Sequence, residues 1–149
     1  MKNGNWEAGI HIADVTHYVT PNSLIEEEAE NRGTSVYLVD RVVPMLPERL
    51  SNGVCSLRPN EDKLCFSAVF ELNEEARVLN KWFGKTVIHS NRRFTYEEAQ
   101  AIIETGEGDF RDEMLQLNDL AVKLREERFR KGSIAFDRIE IKFSINEYG

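Results

Sequence analysis

The sequence predicts an α+β fold, with a mixed, largely antiparallel sheet and flanking helices in a single domain over residues 1–149. Three observations lead there. A segment of alternating polarity, 63–72, is followed by the short polar turn at 73–76 and a second long strand-like segment, 77–90, the pattern of a β-hairpin. Ser23 with Glu26, and Thr95 with Glu98, have the spacing at which each side chain satisfies an orphan backbone N–H at a helix start. Phe110, Met114, Leu117, Ala121 and Leu124 recur at helical spacing.

Taken in order, residues 6–13 are predicted as a strand because Trp6, Ala8, Ile10 and Ile12 alternate with Glu7, Gly9 and His11. Thr20, Pro21 and Asn22 break that pattern. A helix then runs from the Ser23 cap to about Arg32, where Gly33 can take the left-handed C-terminal position. Residues 34–38 are strand-like. Residues 39–56 form a proline-marked connection with one short helix over 47–52, and a connection that long inside a compact domain is usually functional. In the first hairpin strand Leu64, Phe66, Ala68, Phe70 and Leu72 make the apolar face. The second capped helix continues to about Glu104 and ends in Gly106 and Gly108. The longer helix after it closes at Lys131 and Gly132, where cationic charge suits a helix C-terminus. Strands over 133–137 and 138–145 complete the expectation.

Composition narrows the classes of function. No apolar run approaches the ~20 residues of a membrane-spanning helix, and no secretory leader pattern follows Met1, so no membrane partner and a cytoplasmic location are expected. Cys55 and Cys65 lack zinc-ligand spacing, and reduced thiols are the expectation. The net charge of −7 argues against a free-standing nucleic-acid binder. Its distribution tells more: the segment 76–96 holds Arg77, Lys81, Lys85, Arg92 and Arg93 and no acidic residue. That segment can make a local basic surface, or its lysines can simply protect an exposed strand edge from pairing.

No glycine-rich phosphate loop, nucleophile elbow or H-E-x-x-H motif is present. His11, Asp14 and His17 lie close in sequence and suggest a metal or acid/base site. The competing reading is a strand end with partly exposed histidines and an aspartate capping a turn, since in an unbroken strand Asp14 would face away from both histidines. His89 ends a predicted strand and favours neither reading.

The stretch RGTSVYLVDRVVPMLPERLSNGVCSL (32–57), with GIHIADVTHYV (9–19), NEDKLCFSAVF (60–70), FTYEEAQ (94–100) and REERFRKGSIAF (125–136), resembles the RNB catalytic domain of the ribonuclease II and ribonuclease R family, most nearly the ribonuclease R branch. The resemblance implies a partial RNB domain, an internal piece of a larger metal-dependent hydrolase that degrades RNA from its 3′ end and releases nucleoside 5′-monophosphates. It also implies that the family's metal-binding aspartates, a D-x5-D-x-DD pattern, lie upstream of the segment matching 3–11. No catalytic residue and no metal ligand is therefore assigned within this chain. Mg²⁺ is expected in the parent enzyme and none on this piece, which alone is expected to be inactive.

Three substrate-binding residues are implied by the same resemblance. Tyr37 and Phe136 match the two aromatics between which terminal nucleotides stack, and a π-face accepts any base at about 1–3 kcal/mol. Tyr96 matches a tyrosine beside the terminal ribose, where its hydroxyl can bond the 2′-OH that distinguishes RNA from DNA. Core packing is the alternative for any isolated aromatic. The expected partner is the 3′ end of single-stranded RNA, with self-association through surfaces the parent would bury. A non-catalytic RNA-binding or interaction module with the same fold is the alternative function, and an unrelated enzyme using His11, Asp14 and His17 is a third.

Overall fold

The computed structural model describes residue 1 and residues 3–135. The predicted strand over 138–145 lies outside them, and Ser133, Ile134 and Ala135 have no regular secondary structure. Described elements run β1 (Trp6–Ala13), a 3-10 turn (Val15–His17), α1 (Leu24–Arg32), β2 (Val36–Tyr37), β3 (Val42–Val43), a π-helical turn (Arg49–Val54), β4 (Asp62–Leu72), β5 (Val78–His89), α2 (Tyr96–Thr105) and α3 (Arg111–Arg130). β4 is the central strand of a three-stranded sheet in the order β1-β4-β5, and β2 pairs with β3 separately. The mixed architecture is the predicted one. β2 falls within the predicted strand over 34–38, whereas its partner β3 falls in the expected connection: two residues are too few for alternation to show, and the antiparallel pairing of Val36 with Val43 and Tyr37 with Val42 defines it.

The chain forms two compact units, one of residues up to 11, 67–84 and 91–135, the other of 12–66 and 85–90 among the described residues. In the first, the hairpin turn places Ala76 in the left-handed region (φ 60°), and the Asn73 N–H donates to the Arg77 carbonyl across it. Behind this turn Leu72, Ala76 and Leu120 form the buried core, with Ala8 and Phe70 against it. Phe70 meets Phe83 edge to face at 5.9 Å. Glu71 accepts from the Asn3 and Asn5 side-chain amides at 2.9 and 2.6 Å, and the Asn5 contact, then Asn3, holds its carboxyl below the usual range.

The helical stripe is rotated from expectation. Leu117 is 55% exposed and Ala121 and Leu124 are also exposed, whereas Leu120 is buried at 4%. The sequence offers two overlapping apolar stripes on α3, and contact with the hairpin selects the one through Leu120. Between the helices, Gly106 takes the left-handed cap (φ 69°). Gly108 sits at φ 132°, where a Cβ would also come within 2.8 Å of the Ile102 side chain. No other residue type meets both conditions without displacement.

In the second unit, α1 starts as predicted with the Ser23 hydroxyl accepting from the Glu26 N–H at 3.2 Å. Only half of the expected reciprocal box forms. The Ser23 N–H already donates to the Thr20 carbonyl, so the Glu26 carboxylate takes the N–H of Asn22 instead. Gly33 caps the other end in the left-handed region. The short helix predicted over 47–52 is a π-helical turn shifted toward the C-terminus, closed by a 3.0 Å bond from the Cys55 N–H to the Leu50 carbonyl.

On β4 the expected apolar face is not the most buried one. Cys65 and Ser67 are fully buried, while Phe66 is 50% exposed. Small side chains allow close approach on a central strand, so burial goes to the face where nearby chain can pack tightly rather than to the face with more carbon. Ile10 and Ile12 of β1 are likewise exposed, so on the apolar side of that strand Ala8 meets the core while the two isoleucines do not bury. Among the described residues no helix is long and apolar enough to cross a membrane.

Candidate functional site

Each predicted contact residue is best built from its own unit upward. Tyr37 ends β2 in the second unit, one step before the Leu38–Arg41 reversal, where the Leu38 N–H donates to the Arg41 carbonyl at 2.8 Å. Opposite it in register stands Val42. The phenol ring is 79% exposed and borders a pocket of about 180 Å³ shared with Ser35, Glu48, Ser51 and Asn52. β2 therefore supplies an aromatic face, and the proline-marked connection after it supplies Glu48, Ser51 and Asn52 of the polar wall beside it. Ser35 also accepts from the Met45 N–H at 2.9 Å, and Arg32 donates to the Pro44 carbonyl at 3.1 Å, ties that hold the hairpin to the end of α1.

Tyr96 is the first residue of α2 in the first unit and is 93% exposed. Its position follows from a complete capping box: the Glu98 N–H donates to the Thr95 hydroxyl at 3.1 Å, and the Glu98 carboxylate accepts from the Thr95 N–H at 2.8 Å. That backbone bond is the main cause holding the Glu98 carboxyl below its usual range, with Arg92 adding to it. The side chain at the first helical position is directed outward by a cap that uses none of it. An open groove of about 540 Å³ runs past Arg93, Tyr96 and Glu97. Phe136, the third predicted contact, lies outside the described residues. Core packing, the alternative for Tyr37 and Tyr96, does not fit their exposure.

The basic segment resolves into individual roles. Arg92 reaches Glu98 at 3.2 Å and Asp109 at 3.8 Å and lies 5.1 Å from the Phe94 ring centroid, and Phe94 in turn meets Phe110 edge to face. Arg93 has no ion-pair partner among the described residues and is exposed. Sequence alone could not separate these neighbours, because their difference lies in which direction each leaves the chain before the helix.

His11, Asp14 and His17 do not assemble into one site. His11 Nδ1 shares a 2.6 Å hydrogen bond with Ser67 Oγ, and its ring folds over Gly9, where an added Cβ would sit 2.6 Å from Nε2. Asp14, buried at 6% exposure, takes the Thr16 hydroxyl and the Lys85 ammonium, the latter at 2.9 Å, while its carbonyl accepts from the His17 N–H in the 3-10 turn. His17 packs edge to face on Tyr18. Asp14 stands at the start of the turn but makes no side-chain capping bond to its backbone, so neither a shared site nor a side-chain cap forms. His89 donates from Nδ1 to Asp62 at 2.7 Å. Among the described residues no three His, Cys, Asp or Glu side chains converge to hold a metal ion, so these residues do not fit an Mg²⁺ cage. Burial pushes the thiols of Cys55 and Cys65 up, and both are free.

Asp14 makes a pH prediction. The Thr16 hydroxyl first, then Lys85, hold its carboxyl below the ordinary aspartate range despite the opposing effect of desolvation. A depressed folded value means stability that is fully present above the unfolded value of about 3.9 and is lost as pH falls through the folded one. Asp14→Asn should therefore lower the thermal midpoint near neutral pH, and the gap to the parent protein should close in strong acid. A gap that persists unchanged in acid would show that the carboxylate's charge plays no part.

Comparison with known proteins supplies what geometry alone does not. The RNB domain family matches residues 1–149. Ribonuclease R 1 of Lactococcus lactis is 45% identical over 100% of this chain and 19% of its own length, so the chain spans about a fifth of that relative. Among solved structures, Mycoplasma genitalium RNase R in complex with double-stranded RNA superposes with a TM-score of 0.87 at 29% identity, covering 95% of this chain and 26% of that one. The same enzyme in complex with ribose methylated single-stranded RNA gives 0.85 at 30% identity, covering 95% and 23%.

Proposed function

Because the chain belongs to the RNB domain family, we propose that it forms part of the RNA channel in the catalytic domain of a hydrolytic 3′-to-5′ exoribonuclease. The observation that carries this reading is the pair of outward tyrosines, Tyr37 and Tyr96, each exposed beside an open pocket with polar groups at its edge. An aromatic face left in water at such a place suits stacking on any base, which a sequence-indifferent exonuclease requires. Relatives that carry the name ribonuclease R, and neighbours solved with RNA bound, support the same substrate class.

Under this proposal the residues described here bind and orient the single-stranded 3′ end, and the longer protein releases nucleoside 5′-monophosphates. Mg²⁺ belongs to carboxylates other than those described, where it would supply an activated water and offset charge on the departing oxygen. Tyr37 contributes a stacking face. Glu48 and Asn52 line its pocket and can meet the polar edge of whatever lies on the ring. Stacking positions RNA without taking part in bond cleavage.

The test is Tyr37→Ala in the full-length protein, acting on a labelled single-stranded RNA. Loss of one stacking contact of about 1–3 kcal/mol should release the last nucleotides earlier and lengthen the limit product while hydrolysis continues. Limit products identical in length to those of the parent protein would remove Tyr37 from the channel. Binding of RNA with no shortening at all by the full-length protein would favour the non-catalytic module instead.

A further inference from the structure

The groove beside Tyr96 holds a second binding group that the tyrosine does not account for. Two consecutive arginines precede the helix, and the structure treats them oppositely. Arg92 is held by Glu98, Asp109 and the Phe94 ring, so its charge is already used within the protein. Arg93 is exposed, lines the groove and has no acidic partner among the described residues. An unpaired guanidinium presents a planar fork of donors that matches the oxygens of a phosphate.

The start of α2 adds to the same side. Its capping box satisfies the N–H groups of Thr95 and Glu98 and leaves those of Tyr96 and Glu97, which precede any helical acceptor four residues back. Both residues line the groove with Arg93. The residues that carry these amides and this guanidinium thus border one open space next to an outward aromatic ring. The Glu97 carboxylate lines it as well and opposes an anion, so the charge balance there is set by one arginine against one glutamate.

We propose that Arg93, with the Tyr96 and Glu97 amides, forms a phosphate subsite that holds one phosphodiester of a single-stranded RNA whose nucleotide lies against Tyr96. This assignment rests on the RNA-channel reading and names a backbone-positioning residue within it. A phosphate contact carries no base preference, and a hydroxyl that bonds the ribose carries none either.

The experiment is a salt series of anisotropy titrations with a fluorescently labelled single-stranded RNA of mixed sequence. For single strands each neutralised phosphate contributes about 0.7 to the slope of log affinity against log salt. Arg93→Gln should weaken binding by about tenfold at low salt and reduce that slope by about 0.7, while Arg93→Lys should retain the slope. Glu97→Gln should tighten binding, because it removes the opposing charge. A purely structural role for Arg93 would not move the slope. If the parent protein binds RNA and Arg93→Gln leaves slope and affinity unchanged, or Glu97→Gln weakens binding, the subsite is wrong and the channel reading stands. Absence of RNA binding by the parent protein would overturn both.

Discussion

Changing Tyr96 to phenylalanine should bring the turnover of RNA and of DNA by the full-length protein closer together by roughly one to two orders of magnitude. The ring is 93% exposed at the first position of α2, so the substitution removes one hydroxyl and disturbs no packing. Thr95 and Glu98 cap the helix without help from Tyr96, and helix stability should be unaffected. When a deoxyribose lies beside a hydroxyl placed to pair with a 2′-OH, that polar group is left without its partner, at a cost of about 1–3 kcal/mol. Under the proposed channel, phenylalanine would remove the group that bonds the ribose while keeping the ring. Rates on matched single strands ending in ribose or deoxyribose measure this directly. An RNA-to-DNA ratio equal to that of the parent protein would remove Tyr96 from recognition of the ribose.

The largest expected effect on stability comes from Leu120→Ala, which should lower the unfolding free energy by about 2–5 kcal/mol. Leu120 is 4% exposed and completes the core with Leu72 and Ala76, against Ala8 and Phe70. Truncation leaves a cavity between a helix and a hairpin turn whose backbone is already constrained by the left-handed Ala76. Leu117→Ala, one turn away and 55% exposed, should cost about 0.5 kcal/mol or less. Denaturant midpoints for the two variants separate the faces of α3. Comparable losses would mean that the helix packs through both stripes.

Much of this architecture is legible in local chemistry. Thr95 and Glu98 specify the start of α2 because a capping box involves only four neighbouring residues, and nothing distant competes for either side chain. Ser23 and Glu26 show where such reasoning stops. The same spacing forms half a box because the Ser23 N–H is taken by Thr20, a fact of the turn before the helix. The β4-β5 hairpin was readable from one alternating segment, a polar turn and a second strand-like segment, and β2 lies within the predicted strand over 34–38, whereas β3 is two residues long inside the connection and leaves no periodic trace. For the candidate site, family motifs marked Tyr37 and Tyr96, and the structure leaves both rings exposed. The choice between Arg92 and Arg93 had no signal in the sequence, because the acidic partners of Arg92 are six and seventeen residues further along.

By itself the sequence determined the family, the order of the long strands and capped helices, and which aromatics stand at the start of α2 and just before the proline-marked connection, since each depends on neighbours within a few residues or on an extended motif. Only the tertiary structure decided which stripe of α3 is buried, that Cys65 and Ser67 rather than Phe66 fill the tight side of β4, and that Asp14 closes a turn against Thr16 and Lys85 instead of joining His11 and His17. Burial and ion pairing depend on what the fold brings within a few ångströms, and residues 14 and 85, or 72 and 120, become neighbours only when the chain has folded.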